Sequence, residues 1–221
     1  MPRPEAAPAA AVQPEPPRDC PMCPRLVAYR AANAAAHPDW FNGPAPSWGP
    51  ADARLLVAGL APGRSGANRT GRPFTGDHAG LLLYATLQKL GFARGAYDPD
   101  GRDDLELIDC MITNAVRCAP PGNRPEGSEE ANCRPFLAAR IAALPRLKVI
   151  VTLGDVSRRN VLKALGLRAS AGVPGHGAEF AAGPYAVLNS YHCSRLNTNT
   201  GRLTPQMFEA VFARARTLLD G

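Results

Sequence analysis

Hydrophobic residues in this chain fall into four short blocks, separated by stretches rich in glycine, proline and charge. The blocks are residues 54–60 (RLLVAGL), 109–116 (DCMITNAV), 147–154 (LKVIVTLG) and 184–192 (PYAVLNSYH). Each is almost continuously apolar and too short for a buried helix, the pattern of a strand covered on both faces. Between the blocks the chain reads as helix. Helices are predicted over residues 24–36, with Pro24 in the first turn, and over 79–91, stopped by Gly91. A third is predicted over 128–144, with Ser128 as cap and acids in its first turn. Two more are predicted over 155–166 and 204–219, the last with Thr204 as cap and Pro205 in the first helical position. Strand and helix alternating in this way make an α/β protein with a parallel sheet. Ligands in such folds bind beyond the carboxyl ends of the strands. Those ends fall at Gly59, Asn114, Gly154 and His192.

Composition sets outer limits on this picture. At 221 residues the chain is long enough for one domain with a full core. Residues 1–17, rich in proline and alanine, are expected to be a disordered tail, leaving 18–221 as the folded domain. No apolar run approaches a membrane span, and the first residues lack the basic and apolar segments of a secretory signal. A cytoplasmic monomer with no membrane partner is the expectation. The net charge of +6 is compatible with a polyanionic partner and does not establish one.

Chemistry gathers at the strand ends. Residues 59–80 (GLAPGRSGANRTGRPFTGDHAG) hold six glycines and two prolines, so backbone can approach a ligand closely. No G-K-[ST] ends this loop, which excludes a phosphate-binding Walker loop, and its glycine spacing is wrong for a dinucleotide fingerprint. Arg64, Arg69 and Arg72, interleaved with Asn68, Phe74 and Asp77, suit a nucleotide: charge for phosphate and a ring for a base. A structural Ω-loop is the other reading. The fourth block ends in His192, followed by CSRLNTNTGRLT, whose short hydrogen-bonding side chains and two arginines suit a phosphate backbone. Of the six cysteines, Cys20-x2-Cys23 and Cys118-x14-Cys133 offer four thiolates for zinc or an iron–sulfur cluster, and spacing does not choose between them. Ordinary thiols at Cys118 and Cys133 are the alternative. Cys110 and Cys193 read as core thiols.

In order, and at strand ends, "CPRLV", "GLAPGRSGANRTGRPFTGD", "AVRCAPPGNRP" and "SYHCSRLNTNTGRLT" resemble the cluster-flanking and signature segments of the uracil-DNA glycosylase superfamily, in its type-B (fifth) branch. The resemblance runs from about residue 20 to the C-terminus. It implies a three-layer α/β/α sandwich with a four-stranded parallel central sheet, and a [4Fe–4S] cluster on Cys20, Cys23, Cys118 and Cys133. It implies hydrolysis of the N-glycosidic bond of uracil, or of other deaminated or damaged bases, everted from DNA. By that resemblance Phe74 is the ring on which the base stacks and His192 a donor to the base's O2 oxygen. Asp77 would stabilise the sugar cation or orient water, and it could equally cap the following helix. Gly59, Ala61 and Asn114 would complete the base pocket, with Asn68 and Asn123 as further polar contributors near it, both of which read more readily as turn residues. Arg64, Arg69, Ser194, Arg195, Leu196, Asn197 and Arg202 would meet DNA, with Leu196 as an apolar wedge. Two positions depart from related patterns. Fourth-family members carry an acid directly after the first motif glycine, where this chain has Leu60, a departure typical of type B that leaves the water-activating group open. Asn114 stands where fourth-family members read uracil with asparagine and type-B members often carry alanine. The motifs hold no lysine for a Schiff base, so no strand-cutting lyase activity is expected. A non-catalytic iron–sulfur protein that binds abasic or single-stranded DNA is the competing reading.

Overall fold

The computed structural model describes residues 13–221; residues 1–12, most of the expected tail, lie outside it. In chain order the strands are β1 (Leu55–Gly59), β2 (Ala93–Arg94), β3 (Glu106–Leu107), β4 (Cys110–Asn114), β5 (Val149–Leu153), β6 (Glu179–Ala182) and β7 (Tyr185–Ser190). The helices are α1 (Pro24–Ala36), α2 (Ala67–Thr70), α3 (His78–Lys89), α4 (Gly127–Ala142), α5 (Asp155–Ala164), α6 (Arg195–Asn199) and α7 (Pro205–Asp220). The main sheet has the order β4-β1-β5-β7-β6. The four apolar blocks supply β1, β4, β5 and β7, all parallel.

Side chains alternate across this sheet and build two cores. Leu55, Val57, Ile112, Val151 and Leu188 pack with α3 and with Phe208 and Phe212 of α7. Leu56, Ala58, Met111, Ile150 and Val187 face the other way, onto Leu137 and Ile141 of α4 and Val161 and Leu162 of α5. The result is helix, sheet and helix in three layers. Register decides what meets at the strand ends: Gly59 pairs with Asn114, and Leu153 with Ser190, two residues before His192.

Three sequence expectations need correction. The sheet has a fifth strand, because Gly183 (φ 62°) opens a tight turn that folds β6 back antiparallel to β7, pairing Ala182 with Tyr185. Helix α4 begins earlier than Ser128 suggests. Glu126 is its cap, in a capping box in which the Glu129 carboxylate accepts from the Glu126 amide at 2.7 Å. Residues 13–17, counted in the expected tail, lie against the fold. Glu15 accepts from Arg117 (2.7 Å), from Arg140 (2.6 Å) and from the Ser47 amide (3.1 Å). Arg117 is only 1 % exposed and needs a counter-ion. That need pulls the proline-rich segment from Gln13 to Pro17 onto the fold.

Glu15→Ala is therefore expected to strand a buried guanidinium and to lower unfolding free energy by roughly 3 kcal/mol, read as a drop in the urea midpoint. An unchanged midpoint would show that Arg117 tolerates burial without this partner.

Candidate active site

Beyond the carboxyl ends of β1, β4 and β7 lies a cavity of about 380 Å³, lined among others by Ala61, Phe74, Asp77, Asn114, Asn123 and His192. Gly59, expected in the pocket, does not line it but makes room for two residues that do. A β-carbon there would come within 2.7 Å of Phe74 Cζ and would collide with Asn114 Oδ1 as well. Glycine at this register position lets a ring and an amide approach the same point.

Phe74 sits at φ 57°, a backbone region that bulky residues rarely enter. Its surroundings impose this. Tyr84 donates to the Pro73 carbonyl, and Tyr97 donates to the Phe74 carbonyl at 3.2 Å. Gly80 carries no side chain that would strike that carbonyl. Arg72 stands over the Trp48 ring at 4.7 Å and makes a bidentate pair with Asp103 at 2.7 and 2.6 Å. Hydrogen bonding from Arg72 holds the Asp103 carboxyl down at about 2. Phe74 is thereby aimed into the cavity, its ring 6.2 Å from that of His192.

His192 is held from behind, its carbonyl accepting from Asn197 Nδ2 at 2.8 Å. Burial depresses its imidazole below the usual histidine range, so the ring is neutral near pH 7 and offers one N–H. Asp77 caps α3 through Oδ1, which accepts from the Gly80 amide at 3.0 Å. Its other oxygen faces Gly63 and Gly66, where missing β-carbons make room for it. Burial raises the Asp77 carboxyl above the ordinary aspartate range, against the pull of the Gly80 and Ala79 amides. Asn114 is 3 % exposed, and its Oδ1 has no hydrogen-bond partner among the described residues. A buried acceptor left unsatisfied costs about 1–3 kcal/mol, which sets this oxygen apart from the other polar groups beside the cavity.

Not every residue singled out in the sequence faces the cavity. Asn68 is buried elsewhere and donates to Asn42 Oδ1 at 3.1 Å, because the loop needs that amide to tie two turns together. Arg69 is neutralised by Asp100 at 2.8 Å and also donates to the Ser65 carbonyl. Asn197 spends its amide on His192. Thr200 donates to the Leu196 carbonyl at 2.7 Å within α6, a helix too short to leave a periodic trace in sequence. Ser194 and Arg195 line the cavity mouth. Leu196 beside them is 73 % exposed, and Arg202 stacks over Tyr191 at 4.5 Å. Sequence reasoning missed His78, a wall residue whose Nε2 lies 3.0 Å from Thr198 Oγ1 of α6. Its place directly after Asp77 in the loop was the available signal.

The four spaced cysteines border one small space between the start of α1, the loop after β4 and α4. N–H groups point at the sulfurs: the Arg117 amide at Cys133 (3.3 Å), Arg30 at Cys118 (3.5 Å) and Asn132 at Cys23 (3.7 Å). Burial pushes the Cys118 thiol up to about 11 and Cys133 up to about 12, and the neighbouring thiols add to both. Among the described residues no three His, Cys, Asp or Glu side chains stand in the geometry of a single-ion site. Cys110 and Cys193 are fully buried in the core.

This arrangement, a strand-end cavity under a glycine-rich loop and a histidine-ended strand, stands in a chain matched by the model of the uracil DNA glycosylase superfamily. The chain belongs to that superfamily, whose family model matches residues 46–216. It is similar to a type-5 uracil-DNA glycosylase of Thermus thermophilus, 43% identical over 206 residues that cover 90% of this chain and 93% of that protein. A type-5 uracil-DNA glycosylase of Pyrobaculum aerophilum is 41% identical over 201 residues, 89% of this chain and 88% of its own. A type-4 uracil-DNA glycosylase of Pyrobaculum aerophilum matches over a shorter span, 37% identical over 116 residues, or 52% of this chain and 51% of its own. Among the described residues no helix is long and apolar enough to cross a membrane.

Proposed function

We propose that this chain hydrolyses the N-glycosidic bond between uracil and deoxyribose in DNA, releasing the base and leaving an abasic site for excision repair. The observation that carries the reading is the convergence of Phe74, Asp77, Asn114 and His192 on one strand-end cavity, with the buried Asn114 Oδ1 left without a partner among the described residues. Deamination of cytosine turns a ring acceptor into an N–H and an amino group into a carbonyl. An acceptor oxygen at Asn114 pairs with the uracil N3–H and repels the bare N3 of cytosine. Other deaminated bases present the same N–H and carbonyl edge, so hypoxanthine and xanthine belong to the substrate class this residue would read.

The base must first leave the stack, at about a few kcal/mol. Leu196, exposed at the cavity mouth, would fill the gap it leaves, and Arg195 and Arg202 would meet backbone phosphates. Phe74 would stack on the base. As the C1′–N1 bond breaks, its electron pair moves onto uracil, and the neutral His192 N–H would donate to O2, where that charge collects. The Asp77 carboxylate would stabilise the cation forming on the sugar and orient the water that adds to C1′. The proton of that water passes to Asp77 and then to solvent, and the departing uracil anion takes one from solvent.

The cysteine site fits a [4Fe–4S] cluster, because four thiols share one space and N–H donors already aim at their sulfurs. Cys20, Cys23, Cys118 and Cys133 would hold it, and it would supply a cross-link between α1, the loop after β4 and α4.

Three results are expected. Purified protein should release uracil from a uracil-containing oligonucleotide, and Asp77→Asn should cut kcat about 100-fold with little change in stability, since asparagine caps helices as well as aspartate does. Unchanged turnover would reduce Asp77 to a helix cap. Asn114→Ala should slow uracil excision about tenfold to a hundredfold, the scale of one buried hydrogen bond; equal single-turnover rates would remove Asn114 as the base reader. The isolated protein should be brown, with iron and sulfide and a visible absorption band that fades on reduction and is missing in Cys133→Ser. Colourless protein holding one zinc would overturn the cluster assignment.

A further inference from the structure

Arg64 is the first residue past the cavity wall at Gly63, and it is exposed. Its neighbours in the same loop are neutralised, Arg69 by Asp100 and Arg72 by Asp103. Arg64 has no carboxylate partner among the described residues, yet its side chain is not loose. Nε donates to Asn33 Oδ1 at 2.7 Å, and one terminal nitrogen lies 3.0 Å from His37 Nε2. The guanidinium carbon stands 5.3 Å from the centre of the Trp40 ring, and His37 and Trp40 are stacked 3.9 Å apart and 8° from parallel. Asn33 is itself fixed: it is 4 % exposed, and its Nδ2 donates to the Tyr29 carbonyl at 2.9 Å, which turns its oxygen toward Arg64.

No partner in this frame is a carboxylate, and the guanidinium, which can only donate, meets an amide oxygen and a ring nitrogen. The frame orders the fork of the guanidinium without cancelling its charge, so the entropy of holding it is met before any ligand arrives. A carboxylate at position 33 would make a stronger bond and a useless cation. From this we infer that Asn33, His37 and Trp40 hold Arg64 as a dedicated site for one phosphodiester group of the DNA strand beside the everted nucleotide. The inference rests on the reading of the chain as a DNA glycosylase and adds to it three positioning residues that lie outside the signature segments.

The test is the salt dependence of binding to a fluorescent uracil-containing duplex at low temperature, followed by anisotropy. The slope of log K against log salt falls by about 0.9 for each phosphate that the protein ceases to neutralise. Arg64→Ala should lose one such unit. Asn33→Asp should lose the same unit while keeping or raising the thermal midpoint, because its new carboxylate pairs with Arg64; a merely structural role would predict stronger folding and unchanged DNA binding. Arg64→Lys should keep the slope and bind severalfold more weakly, and Trp40→Leu should do the same. If wild type binds with a steep slope and Arg64→Ala keeps it, the site is refuted, and this variant decides alone should Asn33→Asp fail to fold. If wild type shows no salt-dependent binding to DNA, the glycosylase reading itself is lost.

Discussion

Gly59 and Asn114 stand side by side at the end of two paired strands, and the space a β-carbon would occupy on Gly59 is already taken by the Phe74 ring and the Asn114 amide. The cavity depends on that missing side chain. It needs a stacking surface and a hydrogen-bonding edge within reach of one planar ligand, and a parallel sheet delivers them only where the register puts the smallest residue next to the polar one. The rest of the site is arranged around this point. The strained backbone of Phe74 is tolerated because Tyr84, Tyr97 and Arg72 fix its loop from outside. His192 reaches the same space because β7 ends two residues before it, in register with β5.

Charge is sorted by partner. Residues 97–104 (YDPDGRDD) supply Asp100 and Asp103, and these neutralise Arg69 and Arg72 of the glycine-rich loop. Arg117 is neutralised by Glu15. The arginines that hold the fold therefore carry no field outward. Arg64 is held by an amide and by aromatic rings, Arg202 lies over a tyrosine ring, and Arg195 lines the cavity, none of them with a carboxylate partner among the described residues. A net charge of +6 says little by itself. The division between paired and unpaired arginines says where an anion would sit.

Four of the seven described strands and five of the helices were legible in sequence, because buried strands of a covered sheet are nearly continuous in apolar residues and long helices carry caps such as Thr204 and stops such as Gly91. The cavity residues were legible for a related reason: the carboxyl ends of parallel strands are where such folds bind ligands. What escaped was set by contacts far apart in the chain. Nothing local tells that Asp100 will claim Arg69, that Asn42 will claim Asn68, or that a buried Arg117 will draw in a glutamate from a segment of tail-like composition. Helix α6 is five residues long, shorter than the spacing needed to show a helical period. Strand β6 depends on a turn at Gly183, and half of its four residues are alanine, which signals no strand.

Helix α1 contributes no side chain to either of the two apolar cores among the described residues. It is fastened instead by polar and sulfur contacts: Arg25 on Glu129, Arg30 on Cys118, Leu26 against the space between the cysteines, and Asn33 on Arg64. One end of this 13-residue rod touches the thiols and the other touches the base-pocket loop. It works as a strut bolted onto a sandwich that is complete without it. Damage at the sulfurs would then be felt first at the far tip of the rod, in the hold of Asn33 on Arg64, while the sheet behind it stays folded.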